Sequence, residues 1–447
     1  MKRSAWRYLW KSEDIRKKLL ITLLLLAIYR LAANIPVPGI NREVLTQLSQ
    51  TAGAAGNLFN LLDLLSGGTV SNFSVLAMGV YPYITAQIII QLLVPIIPAL
   101  ERRMKEDPRE GQKFQERWTV ILTVPMAALS AVGQINIFNS FAGGQSILMN
   151  YGFTGEALLP TLATLFSMVA GTMFGIWMGQ LISEYGIPNQ GLSLIIFAGI
   201  VAQIPGNILS ILSDAVNGWW LLLVILALLL LIIFAIVFVQ QGRRHVPVMF
   251  PGRRVGNRMS MPVRSTLPLM VNMAGMIPLI FAQSLMTFPA IVASYFINSK
   301  TPWLANLAQG ITQTFGGGNL WYSVIYFLMV VVFTFFYTDV LFAQQNYGEN
   351  LKRQGAQIPG VMRGAPTQKY LTKVQRRITL PGALFLGVVA VLPFVLGLIL
   401  PVGTQSSGLL LISAAGLLIV VGVVRDTFTI IETELKLHGY DESLIKG

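Results

Sequence analysis

Residues able to make or break bonds are scarce in this chain, and their spacing assembles no catalytic set. The only two histidines, His245 and His438, stand far apart, and there is no cysteine. Disulfides and cysteine-ligated metals are excluded, and two isolated imidazoles leave little for a zinc or haem site. No HExxH pair and no Ser/His/Asp arrangement occurs, so an intramembrane protease is not indicated. No GxxxxGK[ST] loop occurs, so the chain carries no nucleotide motor of its own. What remains is non-covalent. The pattern predicts a short amphipathic helix over residues 58–65 that stops at Ser66, Gly67 and Gly68, a helix-breaking signal. The chain resumes at Ser74 with about twenty mostly apolar residues, enough to cross roughly 30 Å of hydrocarbon. A broken helix in lipid frees backbone groups that must face protein or a water-filled cavity. The 56–95 stretch is therefore expected to line something hollow.

The elements that would hold such a cavity are read from composition and hydropathy. The 447 residues are 54% hydrophobic and 11% charged, against about 25% charged in soluble proteins. Mean hydropathy is +0.64. The pattern predicts an all-α polytopic membrane protein. Ten spans are expected, over 19–33, 74–93, 118–137, 157–178, 192–212, 219–239, 269–295, 321–341, 380–400 and 408–424. Arg30 inside the first apolar run argues for a retained span rather than a cleaved signal peptide. Pro278 and Pro289 leave the bounds of the seventh open.

Charge sets the expected orientation. With the N-terminus and every second loop on one side, that side holds 29 of the 32 Lys and Arg residues. Arg42 and Lys300 lie on the other, and Arg30 within the first span. This is a strong positive-inside signal, with both termini cytoplasmic. It accounts for the net charge of +13 without nucleic acid. Ion-coupled transporters place carboxylates at mid-membrane. None is evident here, since Asp339 and Asp426 sit near span ends. A secondary solute transporter with a discontinuous helix remains an alternative, as does an insertase without a through-pore.

Several motifs, in order, carry a specific resemblance. They are Ile35-Pro36-Val37-Pro38-Gly39-Ile40, Leu64-Leu65-Ser66-Gly67-Gly68, and Tyr81-Pro82-Tyr83-Ile84 running into Ile88-Ile89-Ile90-Gln91-Leu92-Leu93. Ile195-Ile196-Phe197-Ala198-Gly199-Ile200, Val271-Asn272-Met273-Ala274-Gly275, Pro359-Gly360 and Lys369-Tyr370-Leu371 complete the set. From about residue 10 to 430 the chain resembles the SecY/Sec61-alpha family, the central pore subunits of protein translocases. The resemblance implies two pseudo-symmetric halves, 1–213 and 214–447, around an hourglass pore. It implies a re-entrant plug at about 57–68, comprising Leu58, Phe59, Leu61, Leu62 and Leu65, with Ser66, Gly67 and Gly68 as its hinge. It implies a pore ring of Ile84, Ile88, Leu192, Ile196, Ile280 and Ile419. Ile84 and Ile88 are four apart on one helical face, as are Leu192 and Ile196, but such spacing is also ordinary packing. A narrow apolar collar blocks ions by dewetting, and branched side chains yield to a moving chain of any sequence. Ile89 and Phe288 match positions that face each other across a lateral gate between spans two and seven. Asn272 is expected there too, with a packing hydrogen bond to a neighbouring helix as the competing reading.

The resemblance also implies partners: SecE and SecG subunits, the SecA ATPase, the ribosome, signal-bearing preproteins and membrane lipid. No cofactor and no enzymatic activity are implied. The basic loops 240–268 and 342–377 would dock the ribosome and SecA through Arg243, Arg244, Arg253, Arg254, Arg258, Lys352, Arg353 and Arg363. The family commonly reads Pro-Gly-Ile-Arg-Pro-Gly where 359–364 reads Pro-Gly-Val-Met-Arg-Gly, which moves the arginine one place later. The implied location is a bacterial inner membrane.

Overall fold

The computed structural model describes residues 13–41, 44, 73–98, 100, 108–141, 146–149, 151–152, 155–212, 218–250, 254–255, 258–259, 263–296, 301–315, 320–399 and 414–437. The expected plug and hinge lie outside the described residues, as does Arg253. Among the described residues, ten helices of 16 or more residues follow one another in the order of the expected spans. They are α1 (Glu13–Ala32), α2 (Tyr81–Ile96), α3 (Pro108–Phe141), α4 (Leu158–Tyr185), α5 (Gly191–Leu212), α6 (Gly218–Gln241), α7 (Ile277–Ser294), α9 (Leu320–Gln345), α11 (Ala365–Ile399) and α12 (Ala414–Leu437). Two shorter helices intervene, α8 (Pro302–Phe315) and α10 (Tyr347–Arg353). Among the described residues, four stretches are long and apolar enough to cross a membrane: Glu110–Asn136, Gly155–Tyr185, Leu320–Arg353 and Ala365–Leu392.

Two helices start later than hydropathy suggests. The second was expected from Ser74, but 73–80 makes turns, with Phe73 at φ 39° and Gly79 at φ 52°. The helix proper starts at Tyr81, where Pro82 occupies the first turn and its missing N–H costs nothing. The seventh was expected from Leu269. Leu269 and Met270 instead end a strand, Gly275 turns the chain at φ 65°, and Pro278 stands in the first turn of α7. Apolar residues continue through both junctions, so only the backbone signals mark them.

The proline-rich motif after α1 acts as a strut. Val37 N–H donates to Phe73 O (3.1 Å) and Val75 N–H to Ile35 O (2.9 Å). A few residues on, Asn41 N–H donates to Ile147 O (2.7 Å) and Met149 N–H to Gly39 O (2.9 Å). The loops after α1 and α3 and the approach to α2 are thereby tied together over an apolar cluster containing Val37, Phe73, Phe138 and Ile147.

The opposite, basic end carries an antiparallel hairpin that hydropathy did not predict. Strands β1 (Arg243–Phe250) and β4 (Val263–Met270) pair from Arg243↔Met270 to Phe250↔Val263. The short β2 (Arg254–Val255) and β3 (Arg258–Met259) pair with each other as a separate two-stranded sheet. Met249 and Gln357 exchange two backbone hydrogen bonds of 2.8 Å. Val246, Val248 and Leu269 are buried with Phe342, Leu351, Ile358 and Leu371. The two basic loops thus share one small core and form a single platform.

Candidate functional site

The largest apolar cluster runs through the middle of the helix bundle. It contains Ile84 and Ile88 of α2, Ile196 of α5, Ile280 of α7 and Ile419 of α12, and Leu192 of α5 packs against it. Four helices far apart in sequence therefore bring all six expected ring residues into one apolar body. The five isoleucines are each no more than 9% exposed. Aliphatic side chains offer neither a donor nor an acceptor, so the set can exclude water and select nothing by hydrogen bonding.

Beside this cluster, α2 and α3 meet α7. Tyr81 Oη on α2 donates to Ser284 O on α7 at 3.1 Å, with both residues buried. Tyr295, at the end of α7, donates to Leu129 O on α3 at 2.6 Å. Between these bonds Ile291 presses on Gly133, where any Cβ would collide with the isoleucine methyl. Glycine at 133 lets the two helices approach. The three helices also bury polar side chains: Thr85, Gln134, Gln283, Ser284 and Thr287. Thr85 and Thr287 each satisfy a backbone carbonyl four residues back, at 3.1 and 2.9 Å. Gln134 Oε1 and Ser284 Oγ have no partner among the described residues. A gate between spans two and seven was expected, but not Tyr81, Ser284 or the part played by α3. The signal was Tyr81, a polar-tipped aromatic just before the first-turn proline of a membrane helix.

Ile89 on α2 and Phe288 on α7 stand on the two helices of the expected gate. Ile89 and Phe288 are both half-buried. Ile89 lies about two turns beyond Tyr81 on α2, and Phe288 about one turn beyond Ser284 on α7. The pair joined across the seam is Tyr81 with Ser284. Asn272 is not on the seventh helix. It stands in the turn between β4 and α7, 3% exposed, and its Nδ2 donates to Gly275 O at 3.0 Å. The competing reading, a packing bond to a neighbouring helix, gives way to a bond within its own turn, because α7 starts five residues later than the asparagine. Its Oδ1 is unpartnered among the described residues.

The basic platform carries the remaining candidates. Arg243 and Arg244 lie on β1 with their side chains exposed. Arg254 is on β2 and Arg258 on β3. Lys352 and Arg353 end α10, and Arg353 pairs with Glu349 one turn back at 3.0 Å. Arg363 is exposed in the turn between Gly360 (φ 79°) and Gly364 (φ 90°). Among the described residues no cluster of His, Asp or Glu could hold a metal ion.

This bundle of membrane-length helices around a shared apolar centre has the fold of known protein-conducting channels. A solved structure of a protein conducting channel superimposes with a TM-score of 0.60 at 16% identity, over 98% of this chain and 99% of that one. Sec61 in the canine ribosome-channel complex from the endoplasmic reticulum gives 0.57 at 16% identity. At such identity the likeness shows the fold alone. Sequence carries the rest. The SecY family model matches residues 74–428. The protein translocase subunit SecY of Chlamydia trachomatis is 37% identical, over 98% of each chain. That of Aquifex aeolicus is 37% identical over 96% of each, and that of Streptomyces galbus 34% identical over 98% of this chain and 99% of its own. The chain belongs to the SecY family.

Proposed function

We propose that this chain is the pore subunit of a Sec-type translocase, multi-pass in a bacterial inner membrane with both termini cytoplasmic. It passes unfolded preproteins across the membrane and releases hydrophobic segments sideways into lipid. The observation that carries this reading is the convergence of six aliphatic residues, from α2, α5, α7 and α12, on one apolar cluster. In the proposal Ile84, Ile88, Leu192, Ile196, Ile280 and Ile419 close around the translocation path. Residues 1–213 and 214–447 act as two halves clamped about it, and 57–68 plugs the outer side. The lateral exit opens where α2 and α3 part from α7, with Ile89 and Phe288 lining the opening and Asn272 fixing the turn that leads into α7. A chain of any sequence passes because the aliphatic wall makes no specific bonds.

Energy comes from outside the chain, which holds no nucleotide-binding loop. The platform of Arg243, Arg244, Arg253, Arg254, Arg258, Lys352, Arg353 and Arg363 docks SecA or the ribosome, the latter by neutralising RNA phosphates. SecE braces the two halves and SecG sits beside them. The test is reconstitution with SecE, SecG and SecA in vesicles, asking whether ATP makes a signal-bearing precursor protease-protected. Protection is expected. Its absence, with SecA bound and active, would sink the reading.

A further inference from the structure

The basic end holds a feature that the docking platform does not account for. A cleft of about 1120 Å³ opens between the end of α9, α10 and the first turns of α11. Its lining includes Lys352, Lys369, Lys373, Arg376 and Arg377, and its lower edge is Leu380. A second cleft of about 310 Å³, against Arg244 and Tyr370, shares Lys373 and Arg377 with it. Both nearby carboxylates are already engaged. Asp339 takes Arg376 (2.9 Å) and Glu349 takes Arg353 (3.0 Å). Among the described residues, Lys352, Lys369, Lys373 and Arg377 have no ion-pair partner. Among the described residues, four cations crowd one concave site whose one lining carboxylate, Glu349, is paired with Arg353, so the site suits an anion.

The residues below the cations decide what kind of anion. Lys369, Lys373 and Arg377 are spaced four apart along α11, and Leu380, Leu384 and Val388 continue the same helical face. These three are 53%, 45% and 56% exposed. From Arg377 to Val388 the helix rises about 16 Å, close to half of a hydrocarbon core of about 30 Å. A soluble polyphosphate or an RNA backbone has no use for that stripe, whereas a phospholipid matches both parts. We infer that this cleft is a binding site for an anionic phospholipid, its phosphate among Lys369, Lys373 and Arg377 and an acyl chain along Leu380, Leu384 and Val388. The inference rests on α11 crossing the membrane and is independent of the translocation role.

The test uses the full chain with its partner subunits in nanodiscs, with a fluorophore on Leu380→Cys, the sole cysteine of the chain. Brominated phosphatidylglycerol is expected to quench the label at about tenfold lower mole fraction than brominated phosphatidylcholine. The triple variant Lys369→Gln/Lys373→Gln/Arg377→Gln removes that preference. Lys369→Arg/Lys373→Arg retains it, which separates charge from folding. Equal quenching by the two lipids overturns the inference, as does a preference that survives the triple variant. Loss of the preference on adding inorganic pyrophosphate overturns it in favour of a soluble phosphate ligand. Ribosome binding that is lost in the triple variant, without any lipid preference in the parent, overturns it in favour of RNA.

Discussion

Replacing Tyr81 by phenylalanine removes one oxygen from the seam and leaves its shape intact. The lost bond is Tyr81 Oη to Ser284 O, 3.1 Å long and buried. In the helical ladder of α7 the same carbonyl also accepts the amide four residues on. The substitution therefore deletes a second bond and does not orphan the acceptor. Interhelical hydrogen bonds in membranes contribute about 0.6 kcal/mol on average, and buried ones in soluble proteins up to about 1.5 kcal/mol. That range converts to an open population about 3- to 13-fold larger, if opening parts α2 from α7. The assay is resting ion conductance of the reconstituted complex in planar bilayers, without substrate or SecA. Ser284→Ala is the control. The acceptor is the backbone carbonyl, and Ser284 Oγ has no partner among the described residues, so this change deletes no bond. Tyr295→Phe has the smaller effect although its bond is shorter, because Tyr295 is 39% exposed and its lost partner is replaced more easily. Unchanged conductance in Tyr81→Phe, or an equal rise in Ser284→Ala, refutes the assignment of this bond as the closure of the seam.

Other substitutions separate packing from gating. Ile88→Ser with Ile280→Ser places hydroxyls in the apolar cluster and should raise resting conductance, whereas Leu192→Ile should leave it unchanged within twofold. Gly133→Val drives a side chain into Ile291 and should destabilise the protein by about 1–3 kcal/mol, measured as a lowered melting temperature in detergent. Asn272→Ala removes only the bond to Gly275 O, at a cost of about 1 kcal/mol in the same assay. Asn272→Asp should cost more, because it replaces the donor with an acceptor facing a carbonyl.

Much of the architecture was legible because the membrane forces it. Spans of about twenty apolar residues and a one-sided distribution of lysine and arginine have few interpretations. The junctions were harder. Residues 74–80 are as apolar as the helix they lead into, and only Pro82, with the left-handed backbone at Gly79, shows that α2 starts at Tyr81. Asn272 was placed on a helix for the same reason, since the apolar run through Leu269 and Met270 hides the end of a strand. The hairpin left a trace in the alternation of exposed His245 and Pro247 with buried Val246 and Val248. That trace was masked by the arginines around it, which read as a solvated loop. The six aliphatic residues were readable as a set only through the resemblance. Isoleucines four apart occur wherever membrane helices pack, and nothing in their spacing says which four helices converge. The Tyr81–Ser284 bond spans 203 residues of sequence, beyond any local pattern.

Five of the six aliphatic residues sit in the main apolar core of the fold, and Leu192 packs against it. In the proposed reading, barrier and apolar core are made of the same atoms, so opening the path partly unmakes the interior. A polar segment entering there leaves those isoleucines facing water, at about 25 cal/mol per Å² of apolar surface exposed. A sufficiently apolar segment replaces the contacts it displaces. In that reading the interior works as a balance that weighs each entering segment against its own isoleucines, with a threshold set by how much apolar surface the newcomer brings.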